Sequence, residues 1–325
     1  MHINSIFVHL QHLRGQVTID PFFKGPDLET QEKKSSNLLL RIAIGIPTGG
    51  IVSCIFAYGN ISLLIVCMLL TWIGLREFWD LTGLTGRGKN PYLSWFADLA
   101  GMIMLYSAWA NYTGSLDILL ALFLPIIFIT QLVMLIRGEK GFLRDIAIAI
   151  LGVLYIAGFM SFILRLRNLQ LDMLDSGSLE FASTFFKSPH MIYLTLFPVL
   201  AGWGSDTSAM FSGKFFGKGK LAPSISPKKT RIGLVGAMVG SATCVVAFSY
   251  LIGLVGRIPL WELIVYGLTI GAISQLGDLT MSAIKREAGR KDSGNILGPH
   301  GGMLDRIDGF LFTLPITYLF FVLVL

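Results

Sequence analysis

The sequence predicts an all-α fold: a polytopic integral membrane protein with about nine transmembrane helices. Three observations carry this expectation. Hydrophobic residues make up 53% of the 325 residues and charged residues only 14%, whereas a soluble domain carries about 25% charged residues. With a mean hydropathy of +0.67, the chain has too few charges to clothe a water-facing surface. Apolar runs of roughly 20 residues, the length that crosses a bilayer as a helix, recur along the whole chain. The basic residues also alternate in the way that membrane topology demands. An ordinary soluble globule, a disordered chain and a disulfide scaffold are excluded.

In chain order, residues 1–36 form a polar tail. Within it Ile3, Ile6, Phe7, Leu10 and Leu13 recur at helical spacing, opposite His2, Asn4, His9 and Gln11. An interfacial amphipathic helix and a mobile tail both fit this pattern. No cleavable signal peptide is visible, and the first apolar run begins near Asn37. The expected spans lie at 37–57, 61–79, 93–112, 115–136, 145–164, 190–212, 232–255, 260–284 and 309–325. The sixth and eighth are interrupted by Asp206 and Asp278. Residues 37–189 read as a transmembrane scaffold, and 190–325 as a catalytic transmembrane region with polar loops.

With a cytoplasmic N-terminus, 22 of the 26 basic residues fall on the inner side, and only Arg165, Arg167, Lys187 and Arg257 fall outside. Cytoplasmic enrichment of Lys and Arg is the rule for short loops. The predicted topology therefore puts the N-terminus and the polar loops in the cytoplasm and the C-terminus on the opposite side. The net charge of +6 follows from the same rule, so no nucleic-acid partner is implied. Cys54, Cys67 and Cys244 lie in apolar runs without a CxxC partner, which speaks against a disulfide framework or a zinc site.

Two clusters break the apolar pattern. Ionisable residues at membrane depth are costly and mark function by default. The first cluster, residues 202–230, places Asp206 among Gly202, Gly204 and Ser205. A glycine-rich stretch with Lys214, Lys218, Lys220, Lys228 and Lys229 follows. Glycine backbones and lysines suit phosphate, although a basic loop beside lipid headgroups gives the same pattern. No GxxxxGK[ST] loop is present. The second cluster, residues 277–309, places Asp278, Ser282 and Lys285 on one helix face. Asp278 lies roughly 10 Å below Lys285 along the axis. Arg286, Arg290, Lys291, Asp292 and His300 follow among glycines, and then Asp305 and Asp308 at i, i+3.

Each residue has a plainer alternative. Asp305–Arg306 reads as a surface pair, Asp308 as an N-cap and His300 as an ordinary loop histidine. Taken together, four carboxylates at one depth among many cations describe phosphoryl or nucleotidyl transfer at a membrane surface. Carboxylates suit Mg²⁺, and Lys and Arg suit phosphate.

The same residues resemble the phosphatidate cytidylyltransferase (CDP-diacylglycerol synthase) family. Its signature is met at every constrained position between 282 and 308. The matching residues are Ser282, Ile284, Lys285, Arg286, Lys291, Asp292, Gly294, Leu297, Gly298, His300, Gly301, Gly302, Met303, Asp305, Arg306, Ile307 and Asp308. The Asp206 stretch, the run from Lys220-Leu221-Ala222-Pro223 to Ser226-Pro227-Lys228-Lys229-Thr230 and, more weakly, Gly152-Val153-Leu154-Tyr155 are also similar. Two positions depart from the family. Gly298-Pro299-His300 stands where members commonly read Pro-Gly-His, and Ile232 stands where many carry Glu.

The resemblance implies the reaction CTP + phosphatidate → CDP-diacylglycerol + pyrophosphate. It implies Mg²⁺ on Asp278 and Asp305, with Asp308 and Asp206 as further ligands, and leaves room for a second cation, K⁺ or another divalent ion. Lys285, Arg286, Lys291 and Arg306 are expected on CTP phosphates and pyrophosphate. Lys228, Lys229 and Ser226 are expected on CTP or lipid phosphate, and Asp292 and His300 as loop organisers or secondary ligands. The acyl chains are expected to stay in the bilayer. A homodimer is left open. Two alternatives remain at this stage: a CTP-dependent polyprenol or phytol kinase (or a related lipid cytidylyltransferase), and an ion-coupled transporter. The one-sided clustering of the acids and the lack of an inverted repeat weigh against the transporter.

Overall fold

The computed structural model describes residues 61–84, 91–110, 141–175, 193–296 and 301–325. The tail helix and the spans expected at 37–57 and 115–136 lie outside the described residues. Each of the other seven expected spans coincides with helix, so the all-α reading holds, while the total of nine is not fixed by the described residues.

The helices are α1 (Ile61–Thr82), α2 (Pro91–Trp109), α3 (Phe142–Gly152), α4 (Phe159–Asp175), α5 (Leu196–Phe216), α6 (Arg231–Leu251), α7 (Leu260–Glu287) and α8 (Leu304–Val324). A π-helical stretch, Val153–Gly158, joins α3 to α4 without a break. Among the described residues, five segments are long and apolar enough to cross a membrane: Ile61–Thr82, Leu143–Leu169, Arg231–Leu251, Leu260–Glu287 and Leu304–Val324.

Lipid tails give apolar side chains little reason to prefer another helix, so membrane helices associate through small residues that let backbones approach. The last four helices follow this logic. On α6, a Cβ at Gly236 would meet Ser212 Oγ of α5 at 1.9 Å, and one at Gly240 would meet Ser208 Oγ at 2.0 Å. On α7, a Cβ at Gly271 would lie 2.6 Å from the Ala237 carbonyl oxygen of α6. One at Gly277 would lie 2.6 Å from the Asp308 carbonyl oxygen of α8. Glycine at these positions lets α5, α6, α7 and α8 pack in sequence, which brings their polar residues together.

Two connections cap the same end of this group. One is a short antiparallel hairpin, β1 (Lys220–Ala222) and β2 (Ser226–Thr230), paired Lys220 with Thr230 and Ala222 with Ser226. The sequence reads this stretch only as a glycine-rich loop. Thr230 ends the hairpin and caps α6, its Oγ1 accepting from Gly233 N at 3.0 Å. The other connection is the α7–α8 loop. Arg286 Nε donates to the Ile225 carbonyl at 3.4 Å and ties the two together. The α8 helix begins at Leu304, earlier than the span expected from 309. Asp308 is therefore a buried residue one turn into the helix and not its N-cap.

Two apolar clusters fill the described bundle. One joins α1, α2, α3 and α4 to the first half of α8 around Phe78, Trp79, Ile156 and Leu304. The other joins α5, α6, α7 and the end of α8 around Phe197, Tyr266 and Phe321. Cys67 and Cys244 are free thiols.

Candidate active site

The site lies where the hairpin, α7, the α7–α8 loop and the start of α8 meet. Its charged residues fall into two groups.

The first group is set by α5, β2, α7 and α8. Lys229 Nζ pairs with Asp278 Oδ2 at 2.7 Å and also donates to the Gln275 carbonyl at 3.2 Å. Asp278 Oδ1 accepts a long bond from Ser282 Oγ at 3.4 Å. Gln275 Nε2 reaches Asp206 Oδ1 at 3.4 Å. Asp308 is buried, its Oδ1 accepting from Gly309 N at 2.7 Å. Asp206 and Asp308 both lie within electrostatic reach of Asp278 and of each other. The helical spacing that places Asp278 and Ser282 on one face is thus realised, and Asp206 and Asp308 join that face from neighbouring helices.

The second group surrounds the α7–α8 loop. Lys285 Nζ pairs with Asp305 Oδ1 at 2.5 Å, both side chains about 90% buried (11% exposed each). Asp305 Oδ2 accepts from Ser293 N at 2.8 Å and from Gly302 N at 3.1 Å. Gly301 holds a left-handed φ of +80°, and a Cβ there would lie 3.0 Å from Asp305 Oδ2. Glycine satisfies both demands.

Residue-type reasoning missed Glu77. It reads in the sequence as a polar residue at a span end. In the structure it is buried in α1 and holds both flanks of the loop. Its Oε2 accepts from Ser293 Oγ at 2.8 Å and Leu304 N at 2.9 Å, and its Oε1 from Met303 N at 2.8 Å. A carboxylate at the start of α8 also meets the positive end of the helix dipole. Gly294 and Gly302 leave the room it occupies. Next to it, exposed Asp80 of α1 pairs with Arg290 of the loop.

The remaining predicted residues are distributed as follows. Lys228, Arg286, Lys291, Asp292 and Arg306 are exposed on the hairpin, the end of α7, the α7–α8 loop and the start of α8, and Ser226 is half-buried at the start of β2. Arg286 Nη1 donates to the Arg290 carbonyl at 2.9 Å. His300, Gly298 and Pro299 lie outside the described residues. Ile232, on the first turn of α6, is exposed and offers no carboxylate.

The metal expectation can be set against this geometry. Asp278 and Asp305 each pair with a lysine of their own. Among the described residues no three His, Cys, Asp or Glu side chains stand close enough together to form a ready ligand set. The donor chemistry nevertheless fits a hard divalent ion, because the three carboxylates that sense one another offer only oxygen. The Asp278 side chain is 39% exposed and is therefore not sealed inside the bundle.

Fold and site together define a class: an integral membrane protein with a charged site held between helices at one end of the bundle. Comparison with known proteins narrows this. The model of the cytidylyltransferase family matches residues 39–324, and the chain belongs to that family. It is a membrane-embedded nucleotidyltransferase. It is 30% identical over 317 residues to phosphatidate cytidylyltransferase 4, chloroplastic, of Arabidopsis thaliana, covering 95% of this chain and 79% of the relative. It is 31% identical over 282 residues to the phosphatidate cytidylyltransferase of a Synechocystis species, covering 79% and 87%. A shorter stretch of 125 residues is 43% identical to that of Staphylococcus saprophyticus, covering 38% and 47%.

Proposed function

We propose that the protein transfers the cytidylyl group of CTP to phosphatidate, giving CDP-diacylglycerol and pyrophosphate. One observation supports this above the others. Lysine–carboxylate pairs sit at the end of helices long and apolar enough to span a bilayer, with exposed cations on the adjoining hairpin and loop. That arrangement suits a reaction between a lipid phosphate and a soluble triphosphate. The matched relatives carry the same activity in their names.

In the proposed reaction an oxygen of the lipid phosphate bonds to the α-phosphorus of CTP. The bond from that phosphorus to the bridging oxygen of the β-phosphate breaks, and pyrophosphate leaves with the electron pair. The nucleophile is an anion at neutral pH, so no general base is required. The barrier is repulsion between anions and charge growth on the leaving group, which fixed cations lower. Lys228, Arg286, Lys291 and Arg306 draw the triphosphate to the entrance. Lys229 and Lys285 lie deeper, on long flexible stems, each within reach of a carboxylate and of an arriving phosphate oxygen. Asp278, with Asp308 and Asp206, would hold Mg²⁺. Asp305, with three donors already on its two oxygens, fixes Lys285 and the loop and would add at most one further oxygen. The ion would supply charge neutralisation at the phosphates. The N-terminus and this end of the bundle are assigned to the cytoplasm, supported by the partition of basic residues.

The test uses purified protein, phosphatidate and CTP labelled at either the α- or the γ-phosphate. The α label should enter the lipid, and the γ label should appear in pyrophosphate. Transfer of the γ label to lipid would make the protein a kinase and overturn the proposal.

A further inference from the structure

Tyr155 sits in the π-helical stretch between α3 and α4. Such one-turn widenings inside α-helices are frequent at functional sites, because they shift a side chain out of the register a continuous α-helix allows. Its ring is packed edge-on by three phenylalanines from three helices: Phe78 of α1 at 6.4 Å, Phe159 of α4 at 5.8 Å and Phe312 of α8 at 5.7 Å between centroids. The residue is only 7% exposed. Its hydroxyl has no hydrogen-bond partner among the described residues. A buried hydroxyl left unpaired is costly, and Phe would fill the same cage without that cost. The hydroxyl lies within electrostatic reach of Asp308 and Asp278. Phe312 lies one turn further along α8 than Asp308, so the ring packs against the helix that carries that carboxylate.

This places one uncommitted donor within electrostatic reach of the carboxylate group, inside an aromatic cage and not among the exposed cations. CTP arrives through those cations. The other substrate is an anion tethered to acyl chains, and it approaches from the bilayer. Resting on the reading above, we propose that Tyr155 is a substrate-positioning residue whose hydroxyl donates a hydrogen bond to the phosphate of the bound lipid. The π-helical stretch sets its register, and the three phenylalanines hold its ring, so the donor is in place before the substrate enters. The bond orients the lipid phosphate toward the α-phosphorus; the hydroxyl exchanges no proton with the reacting atoms.

The test is Tyr155→Phe, which keeps the ring and its packing and removes only the oxygen. The wild type is assayed first for α-label transfer; its failure would overturn the proposed function, and this inference with it. With an active wild type, the variant should raise KM for phosphatidate by about 10- to 100-fold, the loss expected for a hydrogen bond to a charged group. KM for CTP should stay within about twofold. A second readout needs no turnover. Dioleoyl phosphatidate in detergent should raise the melting temperature of the wild type above the value in dioleoylglycerol, and this headgroup-dependent shift should shrink in the variant. Unchanged lipid KM and an unchanged shift would overturn the inference. So would an equal rise in both KM values, or a lower melting temperature of the lipid-free variant without a change in lipid KM, since either marks a structural role.

Discussion

Glu77 and Asp305 each accept three hydrogen bonds from named donors, four of the six being backbone N–H groups. Further from the loop, Asp278 accepts one close bond from Lys229 and one long bond from Ser282, and Asp206 accepts a single long bond from Gln275. All four are carboxylates at one end of one bundle. They differ in how much of their bonding capacity the chain itself consumes. An ionised carboxylate offers about four acceptor positions. Where loop N–H groups fill most of them, the carboxylate fixes the backbone. Where they stay open, it can take a cation or steer a phosphate. The outer pair therefore builds the loop, and the inner group keeps acceptor positions open.

This contrast can be broken by experiment, and the largest effect should come from the inner group. Asp278→Asn keeps the size of the side chain and the bond from Ser282. It removes the charge that pairs with Lys229 and that would meet Mg²⁺. We expect kcat to fall by roughly 10³-fold or more, in line with the loss of a major electrostatic contribution to a charged transition state. The variant should insert into membranes and melt near the wild-type temperature. Turnover within tenfold of wild type would remove Asp278 from the metal and the mechanism together.

Glu77→Ala should show the opposite signature. It leaves two backbone N–H groups and the Ser293 hydroxyl without an acceptor in a buried place, each worth about 1–3 kcal/mol. The expected outcome is a destabilisation of about 3 kcal/mol or more, read as a fall in melting temperature, with activity reduced because the loop carrying Lys291 and Asp292 is no longer held. Glu77→Gln keeps an acceptor oxygen for part of the set and should fall between. A variant of normal stability with abolished kcat would place Glu77 among the reacting groups and erase the distinction drawn here.

The sequence shows the two groups unequally, for a physical reason. Asp206 and Asp278 stand out because each interrupts an apolar run, and the cost of burying a charge makes such residues conspicuous without coordinates. Lys285 and Asp305 are legible through the dense motif that contains them. Glu77 is not. It lies at a span end, where acidic residues are common, and its partners are 216, 226 and 227 residues away. Tyr155 shows in the sequence only through the weak family likeness of Gly152–Tyr155: no periodicity announces a π-helical turn, and an aromatic in an apolar run reads as packing. The hairpin escapes notice because its short, Lys- and Pro-containing strands lack an alternating apolar pattern. Hydropathy puts the start of α8 too late because it opens a span only after the last charge. Asp305 and Asp308 are accommodated inside the helix because Lys285 and the loop amides satisfy the first and the Gly309 amide donates to the second.

The smallest effect sharpens the same contrast from outside. Arg290 joins the loop to Asp80 on α1, beside Glu77, so by position alone it belongs to the structural clamp. Its side chain is 46% exposed and that of Asp80 60%. Exposed ion pairs are screened by water and salt, and their net worth is typically about 0–1 kcal/mol. A double-mutant cycle with Arg290→Ala and Asp80→Ala should therefore return a coupling below about 1 kcal/mol that weakens further in high salt. Two groups of donors then hold one loop to one helix with different strengths. The buried bonds to Glu77 set its conformation, and the exposed pair only trims its mobility. A coupling as large as the Glu77 effect would mean that charge, and not the buried acceptor, anchors the loop.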